Sequence, residues 1–151
     1  MGLPEIVLVL GLMILIESRF EVYMPKCAAE KFEKDIEYTL ANFGHILYGR
    51  SIVGELYALE NEKFCDVDGV KNIVTRENDV KPFILIKRGG CKFTKKILNA
   101  QQKGAQMAII YDDSSTTEPE VIMANDGHGH LIDIPSIFIS GRDGLKLKET
   151  L

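Results

Sequence analysis

Two short, unbroken apolar runs dominate the second half of the chain, Pro82-Phe83-Ile84-Leu85-Ile86 and Met107-Ala108-Ile109-Ile110-Tyr111. Runs of this length bounded by turn residues predict strands buried on both faces. Between them Phe93, Ile97, Ala100 and Gly104 recur at helical spacing, with Lys92, Lys95, Lys96, Gln101 and Lys103 on the other positions. This predicts an amphipathic helix over 92–103, ended by Gly104. Strand, short helix, strand reads as a right-handed βαβ unit with parallel strands. Further strands are expected at Phe20–Met24 (stopped by Pro25), at Ser51–Leu59, briefly at Val121–Met123, and at Ile134–Ile139. Gly54 inside the second of these marks a bulge or a close approach. Ala28, Phe32, Ile36 and Leu40 fall four apart, which predicts some helix within 26–41. Ser140 to Asp143 has the form of a capping box for a last helix carrying Leu145, Leu147 and Leu151, and the chain stops inside that helix. Glu60–Asp79 and the acidic, Ser/Thr-rich stretch Asp112–Glu120 read as loops.

The first eighteen residues behave differently. Ile6 to Ile16 is wholly apolar, and residues 1–18 contain no Lys or Arg. As a helix the run reaches about 16 Å, against a hydrocarbon core of about 30 Å. Its length suits a secretory signal peptide, so residues 1–18 are expected to be removed and residues 19–151 to form one domain in the secretory lumen or outside the cell. No later stretch is long enough for a transmembrane helix. Over the whole chain of 151 residues, 46% are hydrophobic, 26% charged, and the net charge is −4. That is ordinary for a globular protein and unsuited to a broad nucleic-acid surface. A secretory route permits disulfides. Joining Cys65 and Cys91 closes a loop of about 26 residues, worth roughly 3–4 kcal/mol. Cys27 is then free, buried or intermolecular; the alternative is three buried thiols. No Asn-x-Ser/Thr triplet is present.

The templates of catalysis are missing: no nucleophile elbow, phosphate loop, Rossmann glycine pattern or paired-histidine zinc helix. No catalytic residue, metal site or cofactor is therefore assigned. Asp126, His128 and His130 are the most ligand-like cluster for zinc or copper, but a solvated Gly-rich turn explains them better. The two histidines could also sense pH. Asp112, Asp113, Glu118 and Glu120 lack the spacing of a calcium loop. Cys91 as a nucleophile needs a reduced thiol and a base. What remains is Arg88-Gly89-Gly90-Cys91-Lys92. There two basic residues flank a turn open to a partner's backbone, and the free N–H groups of a helix start lie beside them. Such a turn favours a carboxylate or an extended peptide; the alternative is two snorkelling basic side chains on a wet loop.

The same residues carry a resemblance. Arg88 to Phe93, Lys96, Asn99-Ala100-Gln101 and Gly104-Ala105 resemble the core of the protease-associated (PA) domain. The Met107–Tyr111 strand before Asp112 and the Ile134-Pro135-Ser136 strand fit its order. Asn42-Phe43-Gly44, Cys65, Cys91 and Asp133–Gly144 are similar to small secreted members of the family. The resemblance covers roughly Phe20 to the end and extends to the luminal head of vacuolar sorting receptors. It implies an α+β fold, a small open β-barrel or sandwich with mixed strands and flanking helices. It implies a non-catalytic protein- or peptide-binding module, with Arg88, Gly89, Gly90, Lys92 and Phe93 contacting the ligand. A cargo-binding domain of a sorting-receptor-like protein is the alternative role. Glycosylation is a property of the family, although its sites are missing here. Relatives continue into a further strand, so the fold is expected to want one beyond Leu151.

Overall fold

The structure is a computed structural model that describes Phe32, residues 35–46, 51–73, 80–115, Thr117, Pro119 and 121–151. The expected leader over 1–18, the strand Phe20–Met24, Cys27, Ala28, Glu118 and Glu120 lie outside the described residues.

Five strands form one mixed sheet: β1 (Tyr38–Leu40), β2 (Gly54–Ala58), β3 (Lys81–Lys87), β4 (Met107–Tyr111) and β5 (Ser136–Ile139). Their spatial order is β1-β5-β4-β3-β2. The ladders β2–β3, β3–β4 and β4–β5 are parallel, and β1 pairs antiparallel with β5, Tyr38 opposite Ile139. Helix α1 (Phe93–Gln102) joins β3 to β4 and makes the expected βαβ unit, while α2 (Gly141–Lys148) follows β5. The class is α+β with mixed strands. Among the described residues the sheet is open, with β1 and β2 as its edges.

The apolar runs work because side chains alternate across a strand and both faces are covered. Ile84, Ile86, Ala108, Ile110 and Phe138 point to one face, where Ile97 and Ala100 of α1, Phe64, Met123 and Ile132 close the core. Phe83, Leu85, Met107, Ile109, Tyr111, Ile137 and Ile139 point to the other, covered by Leu147 of α2 and by Ile36. β4 is the central strand of the five, and all its residues are buried.

Three expectations are corrected. Residues 38–40 are strand, not helix. Tyr38 and Thr39 suit a pleated surface, and the outer edge of β5 needs a hydrogen-bonding partner, which outweighs the four-residue spacing. Val121–Met123 is not a strand. It touches the β1 segment through isolated bonds, the Thr39 hydroxyl donating to Val121 O (2.5 Å) and Asn42 N–H to Met123 O (3.1 Å), too few for a ladder. The last helix ends at Lys148, where Glu149 N–H caps Leu145 O (3.0 Å), so Leu151 lies beyond it and is exposed. Its start is as expected: Ser140 Oγ accepts from Asp143 N–H (3.1 Å) and donates to Asp143 Oδ2 (2.8 Å). Gly54 is a close approach, since a Cβ there would lie 2.3 Å from Lys81 O.

A Cβ on Gly144 of α2 would meet Tyr111 Cβ at 2.1 Å. In an open helix interior, Gly→Ala stabilises by up to about 1 kcal/mol. Here Gly144→Ala is expected to cost about 1–3 kcal/mol instead, by pushing α2 off β4. Urea unfolding midpoints check the sign.

Candidate functional site

Strands β2 to β5 run parallel, so their C-terminal ends share one edge of the sheet, the usual place for ligand sites in parallel arrangements. The loop leaving β3 is fixed at its first two residues. Lys87 N–H donates to Glu62 O (2.6 Å) and Arg88 N–H to Tyr111 O (2.9 Å). Gly89 and Gly90 follow, with φ of 96° and 83°, in the left-handed region that side chains disfavour. Gly90 is required twice over, since a Cβ there would press on Cys65 Sγ at 3.0 Å and Lys63 Cδ at 3.3 Å. Cys91 is then joined to Cys65 by a disulfide, Cα to Cα 5.7 Å. The thiol of Cys91 is therefore spent and offers no nucleophile.

Beneath the turn lies a residue whose role the sequence pattern did not disclose. Lys96 stands off the apolar repeat of α1, yet it is fully buried. Its ammonium donates to Lys63 O and to Lys87 O (3.1 Å), and lies 3.6 Å from Cys65 Sγ. Among the described residues no carboxylate pairs with it. Burial, with the Lys63 charge adding to it, brings its pKa down to about 8. Neighbours on α1 act alike. Asn99 Nδ2 donates to Phe64 O (2.8 Å). Gln101 Oε1 accepts from Asp133 N–H (2.7 Å) and Ile134 N–H (3.2 Å). Phe64 was hidden in a polar stretch. It is a core residue with φ of 54°, the one non-glycine in the left-handed region among the described residues.

The charged groups pair more exposed cations with more buried carboxylates. Arg88 Nη1 meets the Asp112 carboxylate at 3.2 and 3.4 Å, and its guanidinium lies 6.0 Å from the Phe138 ring centroid. Burial raises the Asp112 pKa, but hydrogen bonds involving Asp113 and Ser114 and the Arg88 charge outweigh it and hold the carboxyl below its ordinary value. Lys92, 72% exposed, lies 3.4 Å from Asp126 Oδ2. Asp126 also accepts from the Thr94 hydroxyl (2.7 Å), which is the main cause of its depressed pKa, and from His128 N–H (3.3 Å). Such a carboxylate is a poor general base, and the Thr94 hydroxyl is turned to it rather than to a histidine. Phe93 packs edge-on against Phe138 at 6.0 Å, so it is partly core rather than a free contact. Arg88, Gly89, Gly90 and Lys92 are thus brought together on one loop, with Phe93 behind them.

The histidines lie apart from a metal geometry. His128 Nδ1 faces Asp126 (3.4 Å) and His130 Nδ1 faces Gly127 O (3.1 Å). Among the described residues no group of three His, Cys, Asp or Glu side chains could hold a metal ion. No helix among them is long and apolar enough to cross a membrane.

The buried amine gives a prediction with a definite sign. Between pH 8 and 10.5 the unfolded chain keeps the Lys96 proton while the folded protein gives it up, so this group's contribution to stability grows as pH rises through that window. Lys96→Met is expected to lose about 1–3 kcal/mol at pH 7 for carbonyls left without a donor, and to lose this pH slope. Parallel denaturant titrations at pH 7, 8, 9 and 10 test it, and equal slopes for the two proteins would contradict the assignment.

Comparison with known proteins places this geometry in a family. The family model described as the PA domain matches residues 52–147. The chain is 34% identical over 119 residues to receptor homology region, transmembrane domain- and RING domain-containing protein 2 of Arabidopsis thaliana, covering 76% of this chain and 24% of that protein. It is 30% identical over 156 residues to vacuolar-sorting receptor 1 of Pisum sativum, covering 96% of this chain and 25% of that protein. It spans about a quarter of the length of these relatives. Among solved structures, a zinc aminopeptidase from Bacillus subtilis aligns with a TM-score of 0.59 at 23% identity, over 77% of this chain and 26% of that one, a likeness of fold. On the family match, which takes in β2 through Leu147 with the Gly-Gly turn at its centre, the chain belongs to the PA domain family.

Proposed function

We propose that this chain is a non-catalytic module of the secretory lumen or the extracellular space that binds an extended segment of a protein ligand along Arg88–Phe93. The observation that carries the reading is the pair of left-handed glycines, held between a disulfide and two backbone hydrogen bonds, beside a lysine that is 72% exposed. Gly90 is itself exposed, so a ligand backbone can approach without a side chain in the way. Lys92 and Arg88 supply positive charge for a ligand carboxylate. The receptor relatives support a protein ligand, and a disulfide suits an oxidising compartment. The similarity to a vacuolar-sorting receptor over 96% of this chain favours the cargo-binding form of the reading.

The test uses linear peptides selected from a displayed library against the oxidised protein. Lys92→Glu should weaken the selected ligands at least tenfold, about 1.4 kcal/mol, by calorimetry. Lys103→Glu, at the far end of α1, should leave them unchanged. A library that yields no ligand, or ligands equally tight for both variants, would overturn the reading.

A further inference from the structure

The Cys65–Cys91 bond has more around it than a structural cross-link needs. Both sulfurs belong to half-buried residues at the edge of the exposed turn. The Lys96 ammonium is 3.6 Å from Cys65 Sγ, pointed there by the Lys63 and Lys87 carbonyls. No other described residue balances that charge. Among the described residues Cys91 has no such partner; it stands next to Lys92, which faces Asp126. Among the described residues, other charges on this side of the turn are Lys63 and Asp66 on the Cys65 loop, and Asp113, whose carboxylate approaches the Gly89 position. A cation fixed beside one sulfur of a disulfide makes that sulfur the better leaving group.

We propose that Cys65–Cys91 is a redox-active disulfide, cleaved by dithiol reductants with Cys65 leaving as a thiolate paired with the Lys96 ammonium. One thiolate of the dithiol attacks Cys91 Sγ, the S–S bond breaks, and its electron pair stays on Cys65. The dithiol's second sulfur, deprotonated, then attacks the mixed disulfide. Its own disulfide forms, and Cys91 departs and takes a proton. The dithiol is oxidised by two electrons and the protein disulfide reduced by two. Of the two protons the dithiol gives up, one ends on Cys91 and one in solvent. Reduction frees the turn on its Cys91 side while Lys96 keeps the Cys65 side in place. Any effect on ligand affinity rests on the peptide-binding reading; the thiol chemistry does not.

Two measurements decide it. The full chain is reduced with dithiothreitol and alkylated with iodoacetamide at pH 5 to 9, with Cys27, Cys65 and Cys91 resolved by peptide mass spectrometry. Cys65 should show a midpoint below both Cys91 and the ordinary thiol value of about 8.5. A Cys65 midpoint at or above that value overturns the proposal. In the folded Lys96→Met variant, reduction by dithiothreitol at pH 7 should be about tenfold slower than in the parent. An unchanged or faster rate overturns it too. Should that variant not fold, the alkylation profile of the unaltered chain decides alone.

Discussion

Backbone carbonyls at the ends of Lys63 and Lys87 face the protein interior, and the side chain that satisfies both is Lys96. A buried carbonyl without a donor costs about 1–3 kcal/mol, so the paths of two chain segments depend on this one amine. The same logic extends along α1. Thr94 reaches Asp126, Asn99 reaches Phe64 O, and Gln101 reaches Leu131 O and the N–H groups of Asp133 and Ile134. One flank of the helix is apolar and lies on the sheet. The other carries polar side chains that hold the β2–β3 and β4–β5 connections. The crossover that makes the strands parallel is therefore also the element that shapes the edge where they end.

The ion pairs around the turn have a different character. Arg88–Asp112 and Lys92–Asp126 each join an exposed cation to a more buried carboxylate. Pairs of this kind contribute little net stability, because the cation is well hydrated whether paired or not. A ligand carboxylate can therefore replace Asp126 on Lys92 at small cost. Asp126 would be left with the Thr94 hydroxyl and the His128 N–H, which already account for much of its stabilisation as an anion. Arg88 is less free, since its guanidinium is held between Asp112 and the Phe138 ring. Of the two cations, Lys92 is the better placed to change partner.

Where one physical signal decided an element, the sequence was sufficient. The apolar runs over 82–86 and 107–111 mark strands that lie within one residue of those observed, because burial on both faces leaves no polar position to blur them. Helix α1 and the Ser140 cap follow in the same way. β1 was not legible, because its pairing with β5 is a contact between residues about a hundred positions apart, while local spacing suggested helix. Phe64 was hidden by polar neighbours, and only a left-handed backbone turns its ring inward. Lys96 is the instructive case. Its place off the apolar repeat agreed with an exposed lysine, and nothing local discloses that two carbonyls wait at the end of its stem. The loop from Arg88 to Phe93 was visible as a pattern, but the pairing of Arg88 and the packing of Phe93 required the tertiary structure.

Two consecutive glycines are a costly way to build a fixed loop, because each loses more conformational freedom on folding than any other residue. The chain confines that cost to two positions. Immediately before them, Lys87 and Arg88 are tied to Glu62 and Tyr111 by backbone hydrogen bonds. Immediately after them, Cys91 is tied to Cys65, and α1 begins at Phe93. The unfolded chain is restricted by the same disulfide, so part of the ordering is already made there. A loop left free would have to be ordered by its ligand, at the expense of affinity. Here the ordering is done when the domain folds, which leaves the exposed Gly90 backbone and Lys92 already in place, as the proposed peptide-binding role requires.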